Sequence, residues 1–334
     1  MQSICIKVPR RSGESARRAS IDADLLNIDL RVISDGEFIY LPLKRRPEKD
    51  EMEQIGQAAS LSEISERKFE EVEGRRTLQQ ILGFKPSFEM IGDIAILNPD
   101  VCPDFRSSAE AILSAHKNIK VVVRPITPVQ GTFRVKNFEI ISGEDRTETV
   151  HREYGCSYAL DLQKVYFSPR LSTERSRVAD QVKVGESVVD MFAGVGSFTI
   201  QVAKKAGKVI AIDINPEAIN LLRKNLELNH IINVDVMQGD VRDFSQDLKG
   251  LADRIIMNLP HTAHEFLPDA VLMLKDTGIL HYYDIRHEDD LFDDALKAIK
   301  DAAGSFRVSI YNKRKIRSYA PHKYNIAIDV KIDK

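Results

Sequence analysis

Apolar and polar residues alternate in Ile4-Cys5-Ile6-Lys7-Val8, Leu30-Arg31-Val32-Ile33 and Phe38-Ile39-Tyr40-Leu41-Pro42-Leu43, the period of half-buried strands, and a helical stretch separates these runs. This predicts a small α/β module over 1–62. Residues 47–76 are charged and rich in Glu and read as a linker that carries a short helix over 61–71. Strand-like runs return at 91–97, 119–123, Phe133-Arg134-Val135 and Glu139-Ile140-Ile141, with a helix over 108–116, so a second α/β region is expected over 68–162. From 163 to 334 strands and helices alternate: strand 188–190, helix 198–206, strand 209–213, helix 216–229, strand 234–237. Such alternation predicts a doubly wound parallel sheet. Pro216 follows Asn215 at the first helical position, where its missing N–H costs nothing. Strands at 254–257 and 278–283 precede a helix over 289–302. The runs 307–311 and 324–332 have no helix between them and are expected to pair antiparallel.

Composition changes this picture little. A chain of 334 residues has room for two or three domains, and 43% hydrophobic with 29% charged residues fits neither a disordered nor a fibrous chain. No apolar run approaches the ~20 residues that span a bilayer, and the amino-terminal run lacks the apolar core of a secretory signal, so a cytoplasmic protein without membrane attachment is expected. The 3 cysteines, Cys5, Cys102 and Cys156, form no CxxC pair and imply neither a metal site nor a disulfide framework. Net charge is −2, yet Arg10-Arg11, Arg17-Arg18, Lys44-Arg45-Arg46 and Lys313-Arg314-Lys315 cluster against acidic stretches at 48–53 and 289–294. Local basic patches of this kind track phosphate even on a near-neutral protein.

The chemistry concentrates at strand ends, where ligands bind in doubly wound sheets. Asp190-Met191-Phe192-Ala193-Gly194-Val195-Gly196-Ser197-Phe198 is a glycine-rich turn between a strand and a helix. Gly194 and Gly196 permit close approach of a ligand to the backbone, and Asp213 ends the next strand about twenty residues on, where a carboxylate meets ribose hydroxyls. The third glycine of a dinucleotide fingerprint is absent, which argues against a nicotinamide-dependent oxidoreductase. Asp240 suits an adenine amine and the Val241 N–H a ring nitrogen; alternatively Asp240 caps a helix. Asn258-Leu259-Pro260 resembles the (N/D)PP(aromatic) tetrapeptide that holds an exocyclic amine, but Leu259 and His261 depart from it, which favours a ring nitrogen as acceptor. The aromatic, acidic and basic mixture over 164–175 suits a nucleobase pocket. Arg146 lies in the preceding region, within reach of the same cleft if the two regions pack suitably; each such residue also reads as an ordinary salt-bridge partner.

A parallel sheet ending in an antiparallel hairpin is the layout of class I, Rossmann-like S-adenosylmethionine methyltransferases, here with a mixed seven-stranded sheet after two smaller α/β RNA-binding domains. Taken together, Gly143-Glu144-Asp145-Arg146-Thr147, Val165-Tyr166-Phe167-Ser168-Pro169-Arg170 through Glu174-Arg175, the glycine turn, Ala211-Ile212-Asp213-Ile214-Asn215-Pro216, Asn258-Leu259-Pro260, His281-Tyr282-Tyr283 and Ser318-Tyr319-Ala320-Pro321 resemble the archaeal and eukaryotic tRNA (guanine-37 N1)-methyltransferases along nearly the whole chain. The first module resembles the extra domain of an archaeal subgroup, which touches the outer corner of the tRNA. The resemblance implies S-adenosyl-L-methionine as cofactor, tRNA as partner and a monomer. It implies Glu174 as general base at guanine N1, Arg146 stabilising O6, Asn258 holding the base, Pro260 shaping the loop and Tyr166 positioning the base or the methionine end. Arg175, Phe192, Gly194, Asp213, Ile214, Asp240, Val241 and Asn258 would line the cofactor pocket. Ser197 stands where many relatives carry proline. The rival within the fold is a wyosine-pathway enzyme, transferring an aminocarboxypropyl or methyl group to a modified guanine at the same position. A catalytically silent RNA-binding scaffold is a further alternative, opposed by the presence of Glu174, Arg146 and Asn258.

Overall fold

A computed structural model describes residues 1–58, 63–71, 77–127, 131, 133 and 135–334. The chain forms two compact units, Met1–Thr77 and Leu78–Lys334.

In the first unit β1 (Gln2–Pro9), β2 (Ile33–Ser34), β3 (Phe38–Pro42) and β4 (Glu63–Lys68) make one sheet in the order β2-β3-β1-β4. Helices α1 (Gly13–Asp22) and α2 (Lys49–Ala58) cover it, and Ala16 and Ile55 bury with Ile6, Val8 and Leu41. Two expectations are corrected here. Of the helix expected over 61–71, residues 61 and 62 lie outside the described residues, and Glu63–Lys68 is a strand paired antiparallel with β1, Ile6 opposite Ile64. The charged run read as a linker thus contributes a helix, Lys49–Ala58, and a strand, Glu63–Lys68, to the unit that spans Met1–Thr77. Its polar residues misled because an edge strand buries only part of its surface.

The second unit opens with α3 (Leu78–Leu82), β5 (Phe88–Ile91), β6 (Ile94–Leu97), α4 (Phe105–Ala115), β7 (Val121–Pro125) and β8 (Phe138–Gly143), the strands in the order β5-β6-β7-β8. The single strand expected over 91–97 is in fact a hairpin, reversed at Gly92 with φ +56°. That left-handed conformation favours glycine. Of the strand expected at 133–135, Arg134 lies outside the described residues. Asp104 caps α4, accepting from the Ser107 N–H at 3.1 Å.

A hairpin that the periodicity did not resolve follows: β9 (Glu148–Glu153) and β10 (Cys156–Asp161). The remaining elements are α5 (Ser172–Gln181), β11 (Ser187–Asp190), α6 (Thr199–Ala203), β12 (Lys208–Asp213), α7 (Pro216–Leu228), β13 (Val234–Gln238), α8 (Val241–Phe244), β14 (Ala252–Met257), α9 (Leu267–Met273), β15 (Leu274–His287), α10 (Asp293–Ala303), β16 (Arg307–Ala320) and β17 (Lys323–Asp333). The buried amide of Asn225 on α7 and the half-buried amide of Asn229 at its carboxyl cap fasten β10, accepting from the Ala159 and Ser157 N–H groups at 2.6 and 2.8 Å.

Their seven-stranded sheet runs β13-β12-β11-β14-β15-β17-β16, parallel through β15 and antiparallel at the last two strands. The mixed Rossmann-like fold and its terminal hairpin are thus as the sequence pattern predicts. β17 inserts between β15 and β16, so β16 joins the sheet only through β17. Apolar side chains fill both faces: Ile255, Met257, Leu280 and Ile328 on one side, and Val188, Val209, Ile256 and Ala327 on the other. Near-continuous apolar strands such as Val209–Ile212 follow from burial on both faces.

Candidate functional site

A cavity of about 550 Å³ opens at the carboxyl ends of β11, β12, β13 and β14. One half is built from backbone turns. Gly194 has φ +55° and open space where a Cβ would stand, so its turn presents bare backbone to the cavity. Gly196 serves a different purpose: at φ +87° its missing Cβ would lie 2.4 Å from Leu222, and the glycine lets the turn pack on α7. The Gly194 N–H donates to Asp213 Oδ2 at 2.7 Å and the Asn215 N–H to Oδ1 at 2.8 Å. Both carboxylate oxygens are thereby aimed, each with a lone pair left for a hydroxyl donor. Burial raises the Asp213 carboxyl above its usual value despite those two bonds.

Asp190 lies beneath the turn, 1% exposed, accepting from the Thr199 hydroxyl at 2.7 Å through Oδ2 while Oδ1 makes no hydrogen bond among the described residues. Burial pushes its carboxyl up to about 7. Phe192, Ile214 and Val241 give this half its apolar walls, with Phe192 edge-on to Phe266 at 5.1 Å. Of the two readings made of Asp240, the helix cap is observed. It lines the cavity, and it caps α8 by accepting from the Arg242 N–H at 3.0 Å. The Arg242 side chain also holds the Asp240 carboxyl below the usual range.

The other half is built from side chains. Asn258 and Pro260, in the turn after β14, and Tyr166 line it. So does His261, whose φ of +95° is a strained conformation for a residue with a Cβ, and whose ring meets Tyr319 of β16 at 5.5 Å. Arg175 borders the cavity but is 1% exposed and fully engaged: Nε and one terminal nitrogen donate to Glu153 at 2.6 Å each, and the other donates to the Ser168 carbonyl at 3.1 Å. It is a brace between α5 and the β9 strand rather than a free ligand group.

Glu174 is set back from the cavity. Its carboxylate, 3% exposed, accepts from Arg177 at 2.6 to 3.1 Å and from the Tyr283 hydroxyl at 2.8 Å, with Arg314 at 3.4 Å. Behind it runs a buried chain of polar groups. Arg177 donates to both oxygens of Asp329, at 2.6 and 3.2 Å; Asp329 meets His281 Nδ1 at 2.6 Å, and His281 Nε2 meets Arg254 at 2.7 Å. Arg254 closes the chain on Glu186 at 2.9 Å. An arginine only donates, so Nε2 is the acceptor and the imidazole proton sits on Nδ1, toward Asp329. Burial lowers the His281 pKa and keeps the ring neutral. Burial opposes ionisation of Asp329 too, but His281 and Arg177 together hold its carboxyl well below the usual range.

Arg146 is not brought to this cavity, contrary to expectation. It lines a second one of about 790 Å³, where it donates to both oxygens of Asp93 at 3.1 and 2.7 Å and to Glu144 at 2.7 Å. The reversal at Gly92-Asp93, read as mid-strand in the sequence, places Asp93 to capture it. Residues that the sequence left without a role also line the main cavity: Phe133 from the middle region, Tyr283, Asp284, Arg317 and Asn325. Tyr283 and Tyr319 stood inside recognisable motifs, but nothing local pointed either toward a ligand.

The models for three domains match in chain order: the tRNA methyltransferase 5 N-terminal domain over residues 5–51, the TYW2 N-terminal domain over 74–147 and the TRM5/TYW2 methyltransferase domain over 149–311. The tRNA (guanine(37)-N(1))-methyltransferase Trm5b of Pyrococcus abyssi is 41% identical over 335 residues, covering 99% of each chain. The chain belongs to the TRM5/TYW2 methyltransferase family. A family member of Methanocaldococcus jannaschii, a tRNA(Phe) (4-demethylwyosine(37)-C(7)) aminocarboxypropyltransferase, is 36% identical but covers only 74% of this chain and 98% of its own. Among solved members of the TRM5/TYW2 family, aTrm5 in complex with tRNALeu has a TM-score of 0.73 and 34% identity over 99% of this chain and 100% of that one. TYW2 of M. jannaschii in complex with AdoMet has a TM-score of 0.60 and 33% identity over 74% of this chain and 100% of that one. The family match begins its catalytic domain at residue 149, which assigns the β9–β10 hairpin to the methyltransferase side, where Asn225 and Asn229 fasten it. No helix among the described residues is long and apolar enough to cross a membrane, and none of their His, Cys, Asp and Glu side chains cluster to hold a metal.

Proposed function

We infer that the chain is an S-adenosyl-L-methionine-dependent tRNA (guanine(37)-N(1))-methyltransferase, methylating N1 of the guanine 3′ of the anticodon. The observation that carries this reading is the full-length match to Trm5b, first unit included. The aminocarboxypropyltransferase relatives stop at 74% of the chain.

The cavity fits the cofactor. Bare backbone at Gly194 and the aimed oxygens of Asp213 suit the ribose and the methionine end, and Phe192, Ile214 and Val241 suit a planar adenine, with Asp240 at its amine edge. When bound, S-adenosyl-L-methionine supplies a methyl group on a sulfonium, an electrophile that requires a nucleophilic nitrogen. Guanine N1 is amide-like and bonded to hydrogen, so the protein must remove that proton as the methyl arrives. Glu174 is the proton acceptor in this reading. Asn258 holds the base edge through its amide, Pro260 sets the course of the turn and Tyr166 flanks the base. Arg175 acts through Glu153 and Ser168 as a positioning residue. Guanine 37 leaves its stack to enter the cavity, the first unit binds the outer corner of the tRNA, and the enzyme acts as a monomer.

The test is incubation with labelled S-adenosyl-L-methionine and an unmodified tRNA transcript bearing guanine 37, followed by nucleoside mass analysis. A product co-eluting with 1-methylguanosine is expected. Transfer of the heavier aminocarboxypropyl group, or activity confined to a premodified tRNA, would assign the chain to the wyosine branch of the family instead.

A further inference from the structure

One side chain is shared by the Glu174 carboxylate and the wall of the cavity. Glu174 does not line the cavity, and among the described residues three side chains engage its carboxylate: Arg177, Arg314 and Tyr283. Of these, Tyr283 alone lines the cavity. Its hydroxyl donates to Glu174 Oε1 at 2.8 Å, and its ring is fixed against Phe198 at 5.5 Å between centroids. The phenol is 2% exposed, so its hydroxyl is held on Glu174 with little access to bulk water.

We propose that the Tyr283 hydroxyl is the proton relay between guanine N1 and Glu174, an inference that rests on the methyl-transfer reading above. As the N1–H bond breaks, Oη gains that proton and passes its own to Glu174 Oε1. The N–H electron pair stays on N1 and forms the N1–CH₃ bond, while the pair of the breaking S–CH₃ bond leaves with sulfur. Tyr283 ends neutral and Glu174 protonated; after product release the same route run backward returns the proton to water. Burial raises the Tyr283 pKa well above that of free tyrosine, so a standing phenolate is disfavoured and the two transfers occur together. Arg177 and Asp329 are positioning residues for this relay, because they fix the carboxylate that receives the proton.

The experiment uses the full chain with transcript tRNA. Wild-type enzyme is assayed first for 1-methylguanosine; its absence would overturn the methyl-transfer reading and the relay with it. Given that product, Tyr283→Phe is compared with Glu174→Gln and the double variant in single-turnover reactions. The relay requires Tyr283→Phe to lose ~10²-fold or more in rate, the double variant to be no slower than either single one, and KM for tRNA to stay unchanged. It also requires the solvent deuterium isotope effect of wild type, with two protons in transfer, to shrink in Tyr283→Phe. A Tyr283→Phe rate close to wild type, or effects of the two substitutions that multiply, would overturn the relay alone. Should Tyr283→Phe lose cofactor binding, 3-fluorotyrosine placed at position 283 decides. It keeps ring and hydroxyl but makes the phenol more acidic, so a relay changes both rate and pH profile, and an unchanged profile overturns it.

Discussion

The two halves of the cavity are made in different ways. The cofactor half is assembled from turns that follow neighbouring strands: Gly194, Asp213 and Asn215 are joined by backbone N–H bonds at 2.7 and 2.8 Å, over at most 19 positions, and each ends or follows a strand. The base half depends on partners far apart in sequence. Glu174 is held by Tyr283 109 residues away, and its neighbour Arg177 by Asp329 152 residues away. The first half takes its shape from turn geometry, the second from a buried ionic chain, and substitutions should tell them apart.

The largest effect is expected on stability, in the base half. Asp329→Ala leaves Arg177 and His281 without their carboxylate in a buried setting, and loss of one partner of a buried pair costs about 3–5 kcal/mol. Urea unfolding measures it; a loss of under about 1 kcal/mol, as for an exposed pair, would erase the contrast between the halves. Next, Glu174→Gln should slow single-turnover methyl transfer ~10²-fold or more while leaving cofactor binding intact. An equal fall in cofactor affinity would mean that the halves are not separable. Asp213→Asn should do the reverse, weakening S-adenosyl-L-methionine binding by the worth of a charged hydrogen bond, about 1.5–3 kcal/mol, with tRNA affinity unchanged by filter binding.

The halves should also differ in pH response. Burial raises the Asp190 carboxyl to about 7 from an ordinary 3.8, so the native state holds its proton where the unfolded chain has released it. That contribution is complete below about 3.8 and is lost as pH rises through about 7, at up to about 1.4 kcal/mol per unit between the two values. Asp329 is shifted the other way, and its contribution is present above the unfolded value and is lost as pH falls. Asp190→Asn should therefore flatten the decline in unfolding free energy between pH 4 and 7 in the cofactor-free enzyme, and a retained slope would point to another group. The smallest effect belongs to Arg146→Ala. Its ion pairs are partly exposed, so a loss of about 0–1 kcal/mol and an unchanged rate of methyl transfer are expected; a large fall in rate would return Arg146 to the reaction.

The same division governs what was legible in the sequence. The seven-stranded sheet and the turns of the cofactor half could be read because periodicity and turn chemistry are local: Asp190, Gly194 and Asp213 all end or follow a strand. Reading failed where pairing decides. Glu63–Lys68 is polar enough to pass for a helix until β1 pairs with it, and the Gly92 reversal is invisible inside an apolar run. Arg146 and Arg175 illustrate the same point in the site. Both carry a guanidinium suited to a ligand, and both are claimed instead by carboxylates, Asp93 and Glu153, that only the folded chain brings near.

The insertion of β17 between β15 and β16 gives this division an order in time. A chain emerging amino end first can complete the glycine turn and Asp213 once β14 has paired with β11, but Asp329 arrives on the strand made after all the others in the sheet. Until that strand slots in, Arg177 lacks its second carboxylate, Asp329, and β16 has no neighbour in the sheet. The glycine turn and Asp213 therefore precede in the chain the strand that carries Asp329, and the buried ionic chain is complete only with that strand.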